Sequence, residues 1–249
     1  MKTPTIILAL IFLGLTPTTK AGDLYGLIME GRITEAADSL SRLATASTRD
    51  GNLILLRSLI AADADEAASL METSLKSSLS HGYQQQVYYR LGYYYLMKKD
   101  YLNLSRIVNQ YRSTFETGRY DQEMLRLSIL LDQLQGDIES AQKQTDRYSV
   151  RYSKGEADQW GQIDRARIML ANKKRIGGIK LLRKLSKGKS DIGVPQALYL
   201  LAKDAAMKNK IEDAVFYYNL LREAFPLAIG LEDIADDLSA LSASPNLLG

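Results

Sequence analysis

The sequence predicts an all-α fold: a right-handed superhelical solenoid of about six antiparallel helix hairpins, closed by a C-terminal capping helix. Two observations predict it. Short polar turns, each followed by a compact residue, recur through the chain, and these residues are Ala36, Ala67, Leu104, Ala141, Gly178 and Ala214. Their intervals are 31, 37, 37, 37 and 36 residues, a period that belongs to stacked helical hairpins. Between the turns the apolar residues keep helical spacing. The 46% apolar and 24% charged content is that of an ordinary globular protein.

The elements follow in chain order. Residues 1–21 read as a secretory signal peptide. Lys2 supplies the positive start, "IILALIFLGL" at residues 6–15 the apolar run, and Thr19 and Ala21 the small residues before a cut after Ala21. Ten apolar residues are short of the roughly 20 that a membrane span needs. The rival reading of this segment is an uncleaved anchor. Residues 22–242 form the repeat domain. Each unit pairs an apolar helical stretch with a second amphipathic one across a polar turn. The sixth shows it best, as "PQALYLLAKDAAM", "KNKIED" and "AVFYYNLLREAFP". A small residue opening the second helix lets two helices cross closely. "LAIGLEDIADDLSALS" follows, with Leu231, Ile234, Leu238 and Leu241 on one face and acids on the other. That suits a terminal capping helix, which covers the last repeat's apolar face. Residues 243–249 read as a flexible tail.

Composition excludes several function classes. There is no cysteine and a single histidine, His81, so disulfides, thiolate chemistry and a multi-histidine metal site are ruled out. Removing residues 1–21 takes away Lys2 and Lys20, leaving 30 basic against 29 acidic residues. That balance gives no electrostatic case for nucleic acid. "KGKS" at 187–190 lacks the upstream glycine of a phosphate loop, because Arg183 holds that position. The acid pairs Asp63/Asp65, Asp121/Glu123 and Asp236/Asp237 lie at helix ends or on polar faces, where acids are solvated or complement a helix N-terminus. Glu139-Ser140 falls in a hairpin turn without the further residues of a glycan-cleaving site. No catalytic residue, metal ligand or cofactor is therefore assigned, and the chain is expected not to be an enzyme.

The sixth unit resembles a tetratricopeptide repeat. Leu201 and Ala202, the small Ala214, the aromatic Tyr218 and the closing Pro226 stand in that pattern, and Ala205 departs from it. The third unit carries Leu91-Gly92 and Tyr95 but has Leu104 where alanine is usual, and the other four match mainly in the turn and the small residue. Among exported proteins the style is similar to periplasmic repeat proteins of the Tol-associated cell-division coordinator or outer-membrane assembly lipoprotein type. The chain has neither the lipid-attachment cysteine of the second nor the coiled coil of the first.

The resemblance implies a groove lined by the first helix of each unit, and it sorts the tyrosine-rich stretch "QQQVYYRLGYYYLMKKDY" at 84–101. Tyr88, Tyr95 and Tyr101 take core positions. Tyr89 and Tyr93 fall on the groove face, and the corresponding positions of later units are Arg126, Trp160, Arg167, Tyr199 and Lys203. Aromatic residues and arginine are enriched where proteins bind partners. The expectation is a non-catalytic, secreted, periplasmic scaffold, without a stable membrane anchor, that binds a protein or peptide of the cell envelope in an aromatic and basic groove. The alternative is a helical accessory module of a peptidoglycan or envelope-assembly enzyme system.

Overall fold

The computed structural model describes residues 21–44, 50–172 and 174–243. Residues 1–20 of the expected signal peptide and 244–249 of the expected tail lie outside them. The described residues form thirteen helices: α1 (Ala21–Met29), α2 (Ile33–Ala44), α3 (Gly51–Ile60), α4 (Ala64–Leu75), α5 (His81–Met97), α6 (Tyr101–Thr114), α7 (Asp121–Leu134), α8 (Ile138–Arg151), α9 (Gly155–Ala171), α10 (Arg175–Leu185), α11 (Gly193–Met207), α12 (Ile211–Ala224) and α13 (Leu231–Ala243). None of them is long and apolar enough to cross a membrane. The contacts divide the chain into two compact units, Met1–Val87 and Tyr88–Gly249, and the division falls within α5.

Hairpin geometry comes from the turns. The turns at 98–100, 135–137 and 208–210 each hold three residues, as does the one at 30–32. In all four a residue with left-handed backbone stands second: Gly31 (φ 77°), Lys99 (φ 57°), Gly136 (φ 78°) and Asn209 (φ 54°). The next amide then reaches back into the finished helix. Arg32 N–H bonds Leu27 O at 2.9 Å, Asp100 N–H bonds Tyr95 O at 2.9 Å, Asp137 N–H bonds Asp132 O at 2.8 Å and Lys210 N–H bonds Ala205 O at 3.0 Å. This closure satisfies carbonyls that a helix end would otherwise leave bare. Asp100 and Asp137 then cap the following helices by accepting from Asn103 N–H and Ser140 N–H.

Compact residues sit where the period places them, with one shift. Ala36, Leu104, Ala141, Gly178 and Ala214 are each the fourth residue of a second helix, and all are buried. In the second hairpin Ala68 is buried at 4% exposure, whereas the expected Ala67 is half-buried. The turn there differs. The chain leaves α3 through Ala61 in extended backbone (φ −62°, ψ 135°), and Asp63 caps α4 by accepting from Asp65 and Glu66 N–H. The entry to α4 is therefore rotated by one residue.

In the first unit, Leu24, Leu40, Leu53 and Leu56 pack α1, α2 and α3 into one core. In the second, successive cores link neighbouring hairpins. Ile129, Ala141, Tyr148 and Ile168 join α7/α8 to α9. Ile163, Ala166, Leu182, Leu185, Ala197 and Leu201 join α9/α10 to α11. Val194, Leu198, Ala202, Leu221 and Ile234 join α11/α12 to α13. Each fully buried aliphatic side chain contributes about 1.5–3 kcal/mol of transfer free energy. α13 thus covers the last hairpin as the sequence predicts.

The tyrosines divide differently from expectation. Tyr88, Tyr95 and Tyr101, all expected in the core, are half-buried, and Tyr88 packs edge-on against Tyr111 (6.2 Å between centroids) and Phe115 (6.0 Å). The fully buried tyrosines are Tyr111 and Tyr148, on the second helices α6 and α8.

The face of the first helices

In the larger unit, the inferred binding residues come from α5, α7, α9 and α11. Tyr93, Arg126, Trp160 and Arg167 converge on a cleft of 310 Å³, joined there by Asp164 and Gln196. Tyr89 stands at its edge. Its ring stacks on Tyr120 at 4.6 Å and meets Tyr93 edge-on at 5.0 Å. Burial raises the pKa of the Tyr89 and Tyr93 phenols above the usual tyrosine value.

Asp164 organises the cleft. It is 3% exposed and projects from α9 between two guanidinium groups. Arg126 Nε donates to Asp164 Oδ2 at 3.1 Å, and Arg167 Nη1 lies 3.4 Å from Asp164 Oδ1. A buried carboxylate is retained when it is paired in this way. The Arg126 guanidinium also lies 3.7 Å from the Trp160 ring centre, a cation–π contact. Arg167 Nη2 donates to Gln196 Oε1 at 3.3 Å. Burial lowers the Arg167 pKa, against the charge of Asp164, and an arginine so placed still carries its charge. Two arginines against one aspartate leave this cleft one unit positive.

Tyr199 and Lys203 are placed elsewhere, under α13. The Tyr199 hydroxyl donates to Asp233 Oδ2 at 3.4 Å, and Lys203 Nζ pairs with Asp237 Oδ2 at 2.6 Å. Burial opposes charge on Lys203, but the bond and charge of Asp237 outweigh it, so its pKa is raised. Gly230 (φ 95°) brings the chain against the Tyr199 ring, where an added Cβ would sit 2.4 Å from Cε2.

Beside the polar cleft lies an apolar one of 480 Å³, which shares Trp160 and Gln196 with it. Ile192, Pro195 and Phe225 line it, and Leu227 and Ile229 stand at its rim at 95% and 90% exposure. Trp160 is expected from the repeat frame, whereas Asp164, Gln196 and the 225–229 segment are not. Among the described residues no group of three or more histidine, aspartate or glutamate side chains is placed to hold a metal.

One solved structure that matches is a tetratricopeptide repeat protein from Parabacteroides merdae, with a TM-score of 0.63 and 13% sequence identity. The match covers 91% of this chain and 86% of that one. The chain has a tetratricopeptide-like fold. No family model matches the sequence, and no curated protein does. With this fold assigned, the cleft around Asp164 lies on the first helices of the larger unit, which α13 closes.

Proposed function

We propose that the protein is a non-catalytic interaction scaffold of the periplasm, which holds a segment of an envelope partner protein on the first-helix face of its larger unit. The observation that carries this reading is the Arg126–Trp160 stack, fixed on buried Asp164 and flanked by Tyr93 and an apolar cleft. Interfaces draw most of their energy from a few well-held aromatic and arginine side chains. Side chains fixed before the partner arrives lose little freedom on binding. The tetratricopeptide-like fold supports a scaffold, and the signal-like segment at 1–21 supports the location.

The test is affinity capture from an envelope extract, with residues 22–249 as bait, in parallel with Trp160→Ala and Tyr93→Ala variants that retain the wild-type thermal transition. A specific partner should be captured by the wild-type bait and depleted about tenfold or more by either variant, since truncating a hot-spot residue costs roughly 2 kcal/mol or more. Identical capture by all three baits would refute the site.

A further inference from the structure

The larger unit holds a second cleft, of 350 Å³, lined by none of the seven residues of the first-helix face. It lies where α6 and α8 flank the start of α7. Arg112 comes from the last turn of α6, Arg147 and Arg151 from α8, and Asp121 opens α7. Phe115, Met124 and Leu125 supply apolar wall.

The charges here divide into engaged and free. Asp121 accepts from the Tyr111 hydroxyl at 3.1 Å and from Arg151 Nη2 at 2.8 Å. The Tyr111 oxygen in turn accepts from Tyr120 N–H at 3.1 Å. Asp121 and Arg151 are therefore matched to each other. Arg112 and Arg147 have no ion-pair partner among the described residues, both are exposed, and Glu116 is the remaining acid of the lining. Two free guanidiniums thus face one free carboxylate. The first turn of α7 carries Asp121 and Glu123, which offset the partial positive charge of its N-terminus, so the attraction for an anion comes from Arg112 and Arg147.

A volume near 350 Å³ is that of a small-molecule site. Guanidinium groups match phosphate oxygens in forked, charge-assisted bonds. Two of them, from helices on either side of α7, call for a dianion rather than a single carboxylate. We propose that this cleft binds a phosphate monoester group, gripped by Arg112 and Arg147. Phe115, Met124 and Leu125 cover its carbon skeleton, and Glu116 accepts from a hydroxyl or amine beside the phosphate. Such a group is carried by soluble phosphate esters and by anionic lipid headgroups alike.

Two arms separate these sources. Calorimetric titration of the full chain with glycerol phosphate at low salt reads the soluble form. Flotation with phosphatidylcholine vesicles containing phosphatidic acid reads the lipid form. Saturable binding is expected in at least one arm, tightening from about pH 5 to about pH 7.5 as the phosphate takes its second charge. Arg112→Gln or Arg147→Gln should weaken it roughly tenfold, the loss expected for one charge-assisted contact, whereas Arg90→Gln should not. Thermal unfolding establishes that each variant is folded. No saturable binding in either arm at millimolar ligand would overturn the proposal, as would undiminished binding by the folded double variant. Binding of a polyglutamate peptide alone, with the same arginine dependence, would overturn it too and assign the cleft to an acidic protein.

Discussion

Asp164→Asn keeps the volume of a buried side chain and removes its charge. The native carboxylate is 3% exposed and serves both Arg126 and Arg167, whose side chains are 18% and 24% exposed. In the variant these guanidiniums stand close together without their counter-charge, in a site too enclosed for full solvation. Removing one partner of a buried pair costs about 3–5 kcal/mol when both groups are dry. The arginines keep part of their surface, so screening reduces the expectation to roughly 2–3 kcal/mol. For a chain of this size each kcal/mol moves Tm by about 2–4 °C, so Tm should fall by about 4–12 °C. Differential scanning calorimetry measures the shift, and urea titration gives the free energy independently. Arg126→Met leaves Arg167 on Asp164, and should cost less, about 1–2 kcal/mol for one charged bond and one cation–π contact. The double variant Arg126→Met with Asp164→Leu should be less destabilised than the sum of its single changes, because the two sites share one network. An Asp164→Asn protein within about 0.5 kcal/mol of wild type would refute the reasoning, since that is the range of substitutions that touch nothing.

Lys99→Gly and Asn209→Gly should each stabilise the chain by about 0.5–1 kcal/mol in urea titration, because both residues hold a left-handed backbone (φ 57° and 54°) that glycine adopts without strain. Ala214→Leu should destabilise the last hairpin by about 1–3 kcal/mol through overpacking, since Ala214 is fully buried between Ala205, Ala206 and α13; unchanged unfolding would show that the helices there can separate at no cost. Burial raises the phenol pKa of Tyr111 and Tyr148 above the unfolded value. Their stabilisation is thus fully present below about pH 10 and lost as pH rises towards the folded values. Ultraviolet titration should show two late-ionising tyrosines coupled to unfolding, and Tyr111→Phe with Tyr148→Phe should abolish that late phase.

The hairpins were legible because turn chemistry and helical period agree in the sequence. Gly31, Gly136 and Asn209 announce a left-handed position, and Asp100 and Asp137 announce the caps that follow. The second hairpin was legible to within one residue. Its turn carries Ala61-Ala62-Asp63 and no left-handed residue, so nothing local reports the rotation that buries Ala68. Tyr111 and Tyr148 were missed although the signal was present: they stand 37 residues apart, the same interval that separates Leu104 from Ala141. The dense cluster at 84–101 masks a sparser pair that keeps the period. Asp164 could not be recognised from sequence. A lone aspartate on a helix reads as solvated, and its partner Arg126 lies 38 residues away on another helix.

The contacts on the first helices follow one direction along the array, and that constrains how the face can work. Arg126 of α7 bonds Asp164 of α9, Arg167 of α9 bonds Gln196 of α11, and Lys203 of α11 bonds Asp237 of α13. Each of α7, α9 and α11 offers a cation, and the next helix of the series offers its acceptor. The basic residues inferred for partner capture are therefore also ties between repeats. They differ in how readily they can be released. Arg126 is bound to a buried charge, and freeing it would leave Asp164 without its closer partner. Lys203 lies beneath the cap. Arg167 gives its outer nitrogen to the neutral amide of Gln196 at 3.3 Å, a weaker hold than a carboxylate provides, while its other nitrogen stays near Asp164. An incoming acceptor from a partner can replace the amide without dismantling the carboxylate pair. Arg167 is thus the cation of this face whose exchange costs the fold least, whereas Trp160 and Tyr93 bind by surface and need no exchange at all.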